Sequence, residues 1–234
     1  MSDQSPAMAI QPREPATEAV PESAPSARAE RGEQKYAQVL AGAREVFLAS
    51  GFEGASVDDI ARTAGISKAT LYRHFPDKAA LFSAVVTQEC KRQADHHPEL
   101  ACLAMPIGEL LLGIARDSLE FMLSPFGQSI YRITVAESER FPHIGESFYQ
   151  SRFLRNRHRV APALAAAAAR GELSAGIDPD YAATVFFAIC GADLFHRRLF
   201  AVGPEPGAEE RETQARRTVE TFLRAFGPPA AARD

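Results

Sequence analysis

Between Arg62 and Lys78 the sequence gathers four cations, Arg62, Lys68, Arg73 and Lys78, beside His74 and against one acid, Asp77. Cations at that density have an elementary use: they neutralise phosphates, and the counterions released make binding salt-dependent. The chain as a whole carries a formal net charge of −4. That excludes a non-specific positive coat and leaves a local basic patch on an acidic body. Other chemistry is not marked. Cys90, Cys102 and Cys190 are scattered, with no Cys-x-x-Cys pair, so neither a zinc site nor a disulfide framework is encoded. His96 and His97 are adjacent, not at the i, i+4 spacing that puts two imidazoles on one helix face. No Ser/His/Asp or Cys/His set has its local context, and no glycine-rich phosphate loop is present. The pattern is that of a protein that binds rather than catalyses, with no metal and no cofactor expected.

The basic stretch must be held by helices. Tyr36, Val39, Leu40, Ala43 and Phe47 fall at i, i+3, i+4, i+7 and i+11, one face of a helix, which Gly51 stops. Ser56-Val57-Asp58-Asp59 has the capping-box form and opens a short helix to about Ala64, broken at Gly65. Ser67 caps the next, through Thr70, Leu71 and Tyr72, and Pro76 ends it. Asp77 opens a longer helix through Leu81, Phe82, Val85 and Val86. Two short helices joined at Ala-Gly-Ile have the shape of a DNA-reading helix-turn-helix. Ala61 lets the pair cross closely, Ile60, Ile66 and Leu71 fill the corner, and the second helix stays exposed with its N-terminus free to enter a major groove.

The run from Gly51 through Ile60-Ala61, Ala64-Gly65-Ile66-Ser67-Lys68 and Leu71-Tyr72-Arg73-His74-Phe75 to Phe82 resembles the DNA-binding domain of TetR/AcrR transcriptional regulators, over roughly residues 33–95. The resemblance implies that Ser56 touches a phosphate and that Ser67, Lys68, Ala69 and Thr70 face the groove, Lys68 and Thr70 as base readers. It implies that Tyr72, Arg73, His74 and Lys78 hold the DNA backbone. The family varies at Ala69 and Arg73, which leaves the operator open. Structural readings compete at each position. Tyr72 could be mainly a packed aromatic and His74 a core histidine. Ser56 and Ser67 would cap helices in any protein, and lysines usually sit in solvent. The clustering of cations on a turn-linked helix pair favours DNA contact for Lys68.

After a polar joint at His96, His97 and Pro98, further helices are expected over about 106–123, 126–138, 145–170, 178–201 and 209–226. The fold class is therefore all-α: a three-helix N-terminal DNA-binding domain (31–95) after a disordered tail (1–30), then a helical ligand-binding and dimerisation bundle (96–228). The resemblance implies that this bundle encloses a small ligand and pairs with a second copy. Segment Tyr131–Pro142 is similar to the AcrR-like branch, whose members often control multidrug efflux. Residues on helices that could surround a cavity are Phe121, Met122, Ile130, Tyr131, Val135, Phe148, Phe153, Phe187 and Cys190, a lining suited to apolar ligands. Plain core is the competing reading for each. The basic run Arg152, Arg155, Arg157, His158 and Arg159 reads as a solvated helix face rather than an anion site. The expected dimer interface is Ala188, Gly191, Ala192, Phe195, Leu199, Val219, Phe222 and Phe226, small residues for close approach and aromatics for buried area.

These readings converge on a homodimeric transcription regulator, a repressor that a small, largely apolar ligand releases from double-stranded operator DNA. The alternative is a DNA-binding regulator without a small-molecule effector, an activator or architectural factor. Residues 1–30 carry prolines and acids instead of an apolar run, so no secretory leader is expected. The apolar stretch Tyr181–Val202 contains Asp193, Arg197 and Arg198, too many charges for a membrane span. A cytoplasmic location follows.

Overall fold

The computed structural model describes residues 27–94 and 105–229, with side chains from 32 to 92 and 105 to 229. Residues 1–26 of the expected tail, the polar joint, Cys102 and the domain boundary at 95/96 lie outside them; residues 27–30, expected as the end of that tail, instead open the first helix. The described chain is all-helical. In order come α1 (Ala27–Gly54), α2 (Val57–Thr63), α3 (Lys68–His74), α4 (Lys78–Ala94), α5 (Ile107–Leu123), α6 (Pro125–Glu137) and α7 (Pro142–Phe148). A π-helical turn (Tyr149–Leu154) follows, then α8 (Arg155–Ala169), α9 (Pro179–Leu199) and α10 (Ala208–Phe226). Among the described residues no helix is long and apolar enough to cross a membrane.

Local capping sets α2, α3 and α4. The Ser56 hydroxyl accepts from the Asp59 amide at 3.0 Å, and Ser67 accepts from the Thr70 amide at 3.1 Å. Asp77 Oδ1 accepts from the Ala80 amide at 2.7 Å. Each satisfies an amide that a helix start leaves without an internal partner. Val39, Leu40, Ala43 and Phe47 of the expected stripe are buried as their spacing predicts, while Tyr36 stays exposed and stacks on Phe75. Phe82 of α4 is fully enclosed, edge-on to Phe47 at 5.2 Å and to Phe52 at 5.7 Å. Glu89 is buried and paired with Arg44 at 3.4 Å and Arg92 at 2.6 Å, which ties α1 to α4.

Gly42 allows α1 and α2 to cross. A Cβ there would lie 2.8 Å from both the backbone nitrogen and the Cβ of Ala64. Gly42→Ala gains up to about 1 kcal/mol in helix preference, but it overlaps backbone that no flexible side chain can relieve, at a cost of about 1–3 kcal/mol. We expect a lower urea midpoint with an unchanged slope; a raised midpoint would show that the crossing has slack.

The N-terminal core does not stop at α4: Phe121, Phe126, Ile130, Ile133, Ile144 and Phe148 continue it. A second core joins α5, α8, α9 and α10 around Leu111, Leu119, Leu164, Phe186 and Phe222. Met122 packs against both. On the surface, Arg116 donates twice to the Glu212 carboxylate, both at 2.7 Å, and fastens α5 to α10.

Two expected helices are interrupted. The segment expected as one helix over 145–170 starts at Pro142 and contains the π-helical turn. In α9 the backbone leaves helical geometry at Ala192 (φ 34°, ψ −127°), a left-handed conformation that costs a non-glycine residue about 1–3 kcal/mol. Beside it, Gly191 is wedged against Phe195 and Met122. At Ala192 tertiary packing, not local preference, sustains the break.

Candidate nucleic-acid interface and ligand cavity

Gly65 takes φ 64° in the turn between α2 and α3, a conformation that glycine adopts without strain. The Ala64 and Gly65 amides close onto Ile60 and Arg62 carbonyls, so α3 is fixed by its backbone and by buried Leu71. This leaves Ser67, Lys68, Ala69, Tyr72 and Arg73 exposed, with Thr70 at their edge. Tyr72 is 52% exposed, which argues against the packed-aromatic alternative. Ser67 and Thr70 share a hydroxyl contact of 2.9 Å.

The other three expected DNA contacts sit differently. The Ser56 hydroxyl donates to Asp59 Oδ2 at 2.6 Å while capping α2. That bond, and then the nearby Arg62 guanidinium, hold the Asp59 carboxyl below its usual range. His74 turns back toward α1. Its ring lies edge-on to Tyr36 at 6.1 Å, and its Nε2 is buried without a partner. The Lys78 ammonium donates to the carbonyls of Glu53 (3.3 Å) and Ala55 (3.1 Å) and lies 4.6 Å over the Phe52 ring. It closes the end of α1, with one N–H left for any other partner.

Lys68 forms an ion pair with Asp58 across the turn, and both side chains are more than half exposed. Exposed pairs contribute only about 0–1 kcal/mol to stability. Asp58→Asn should therefore leave the melting temperature nearly unchanged. It should tighten binding to any duplex several-fold at low salt, because it removes a negative charge beside the face and releases Lys68. Fluorescence anisotropy reads this; weaker binding would mean that Asp58 positions Lys68 rather than restrains it.

Within the body, α5, α6, α7, the π-helical turn, α8 and α9 border a partly open cavity of about 390 Å³. Six of the expected residues line it: Phe121, Met122, Tyr131, Phe148, Phe153 and Phe187. Three do not. Ile130 and Cys190 are sealed in the two cores, and Val135 is 61% exposed at the surface. Sequence reasoning missed the polar lining: Tyr149, Arg152, Asn156, Arg157, Thr184 and His196. Arg152 and Arg157 come from the run read as a solvated face. Arg157 pairs through its buried Nε with Asp180 Oδ1 at 3.5 Å, an ion pair without a hydrogen bond.

The expected dimer face also needs correction. Phe222 is 0% and Val219 8% exposed. Packed with Phe186 and Phe226, they belong to the core of a single chain. Gly191 and Phe195 line the cavity. Ala188 and Ala192 border the cavity as well, on its exposed side, and Leu199 and Phe226 are partly exposed. Tyr181 and Phe200, absent from the expected set, are 61% and 69% exposed.

Two family models match the chain. Residues 39–85 match the family model of bacterial regulatory proteins of the tetR family, and residues 109–228 that of the C-terminal domain of AefR-like transcriptional repressors. The HTH-type transcriptional repressor Rv1474c of Mycobacterium tuberculosis is 34% identical over 82 residues, which cover 35% of this chain and 39% of that protein. The match therefore spans about two-fifths of that repressor's length. The HTH-type transcriptional regulator UidR of Escherichia coli K12 is 31% identical over 149 residues, 60% of this chain and 70% of UidR. Among solved structures, a TetR-family regulator from Mesorhizobium loti is 28% identical with a TM-score of 0.77, covering 84% of this chain and 98% of that one. The flavonoid-responsive regulator FrrA is 32% identical with a TM-score of 0.67, covering 85% of this chain and 100% of FrrA.

Proposed function

The chain belongs to the TetR family of bacterial regulatory proteins, a family of non-enzymatic transcription regulators, and from that premise we propose that it is a homodimeric repressor released from operator DNA by a small aromatic ligand. The observation that carries this reading is the shared wall between cavity and DNA-binding unit. The π-helical turn that lines the cavity packs on α4, and α4 begins four residues after α3 ends. A ligand that displaces the turn therefore acts on the helix that carries the reading head.

On the DNA side, Lys68 and Thr70 read bases. Ser67, Ala69, Tyr72 and Arg73 fit the groove and backbone, and Ser56, His74 and Lys78 hold the head in shape. One such helix reads few base pairs, so a symmetric pair reading two half-sites about one helical turn apart is the economical arrangement. The exposed apolar residues of α9 and of the loop after it are the face for that pairing. On the ligand side, aromatic rings dominate the lining, and FrrA is flavonoid-responsive by name, so a planar aromatic effector is the best-supported class. Release is a population shift: the ligand must bind the DNA-incompetent state more tightly. A hundredfold loss of operator affinity requires a coupling of about 2.7 kcal/mol, within the usual range.

The test is to select an operator from random-sequence duplexes and then titrate the complex with flavones. Dissociation at constant salt supports the reading. Ligand binding that leaves operator affinity unchanged defeats it and favours the regulator without an effector.

A further inference from the structure

The cavity holds a charge that no carboxylate among the described residues neutralises. Arg152 projects from the π-helical turn, with its guanidinium 4.7 Å over the Phe121 ring. Part of its surface is open to the cavity, but its charged end lies deep, and burial holds its pKa below the ordinary arginine value. Among the described residues no carboxylate pairs with it, unlike Arg44, Arg116, Arg157 and Arg197, each of which faces an acid. The groups that feel its charge are Cys90 and Cys190. Burial raises those thiols to about 11 and about 12, so both are neutral near pH 7 and neither is a counterion. Arginine stays protonated even when desolvated, and a buried cation without a partner is costly. What would complete the site is an anion brought by the ligand.

We propose that Arg152 is an anion receptor within the cavity and that the effector is a planar aromatic acid. Its carboxylate meets the guanidinium in a two-pronged hydrogen-bonded pair, the geometry to which arginine is suited. Its rings lie among Phe121, Phe148, Phe187 and Phe195. This rests on the reading that the cavity takes an effector, and it adds the charge that effector carries. The placement also gives a route to the DNA. Ser151, next to Arg152 in the same turn, has its hydroxyl 3.2 Å from that of Thr87 on α4, so an anion that draws Arg152 toward the cavity pulls on a turn tied to α4.

The experiment compares 2-phenylquinoline-4-carboxylate with its uncharged isostere, 2-phenylquinoline-4-carboxamide, by calorimetry on the full chain. The wild type should bind one acid per chain, about ten- to a hundredfold more tightly than the amide, with the two competing for one site. Arg152→Met should reduce the acid to the affinity of the amide and leave the amide unchanged; Arg152→Lys should restore part of the preference. Equal affinities in the wild type, or a preference that survives in Arg152→Met, would overturn the anion receptor while leaving the cavity reading in place. If neither compound bound the wild type, the cavity reading would fall and this inference with it. The wild-type ratio needs no variant, so a poorly folding Arg152→Met does not blunt the test.

Discussion

Truncating Phe82 to alanine should lower the unfolding free energy by about 3–5 kcal/mol, the range for deleting a fully enclosed phenylalanine. The ring is 0% exposed and meets Phe47 and Phe52 edge-on. Removing it leaves a void bounded by α1 and α4 that rigid helix backbones cannot close. Since a domain is stable by only about 5–15 kcal/mol, the variant should have lost much of its DNA binding at temperatures where the wild type is intact. Phe82→Leu, which keeps much of the volume, should cost less than half as much. Urea denaturation measures both. A loss under about 1 kcal/mol for Phe82→Ala would mean that the ring is not the keystone between α1 and α4.

Lys68→Ala should weaken binding to the selected operator by about 1–3 kcal/mol per half-site, the range for one good base contact, so a symmetric dimer loses twice that. Non-specific binding should fall much less, and specificity should relax at one position of each half-site. Asp58 loses its cationic partner in this variant, so part of the loss is the repulsion of an unpaired carboxylate near phosphates. The double variant Asp58→Asn with Lys68→Ala separates the two, because it keeps the missing base contact and removes the repulsion. Anisotropy titrations against operator and scrambled duplexes read all four combinations. Equal losses on both duplexes would reassign Lys68 from base reader to phosphate contact.

The residues whose roles were legible in the sequence are those whose chemistry is local. Ser56, Ser67 and Asp77 cap helices because a short oxygen-bearing side chain at a helix start has few other uses, and the stripe from Val39 to Phe47 buries itself by spacing alone. The exposed set from Ser67 to Arg73 follows from those caps and from buried Leu71. What was not legible depends on the whole molecule. Lys78 lies near the reading head in sequence, yet folds back on the Glu53 and Ala55 carbonyls, a partnership set 25 and 23 residues away. Phe222 and Val219 had the composition of an interface, but only three-dimensional packing decides whether apolar residues face a partner or their own core. Arg152 is the clearest case. In a regular helix the run from Arg152 to Arg159 reads as a basic outer face. A π-helical turn widens one turn by a residue, and one residue is about 100° of helix phase. Arg152 lies inside that turn and lines the cavity, and periodicity along a sequence carries no trace of a π-helical turn.

The central claim is that the outward face of α3 is what touches DNA. A photoreactive p-benzoylphenylalanine placed at Ala69, an exposed position with a small side chain, tests it with little disturbance; the same group at Val135, 61% exposed on α6, is the control. Irradiated with the selected operator, the chain modified at position 69 should crosslink to bases within a half-site, and the chain modified at position 135 should not. Crosslinking from position 135 with none from position 69 would contradict the account.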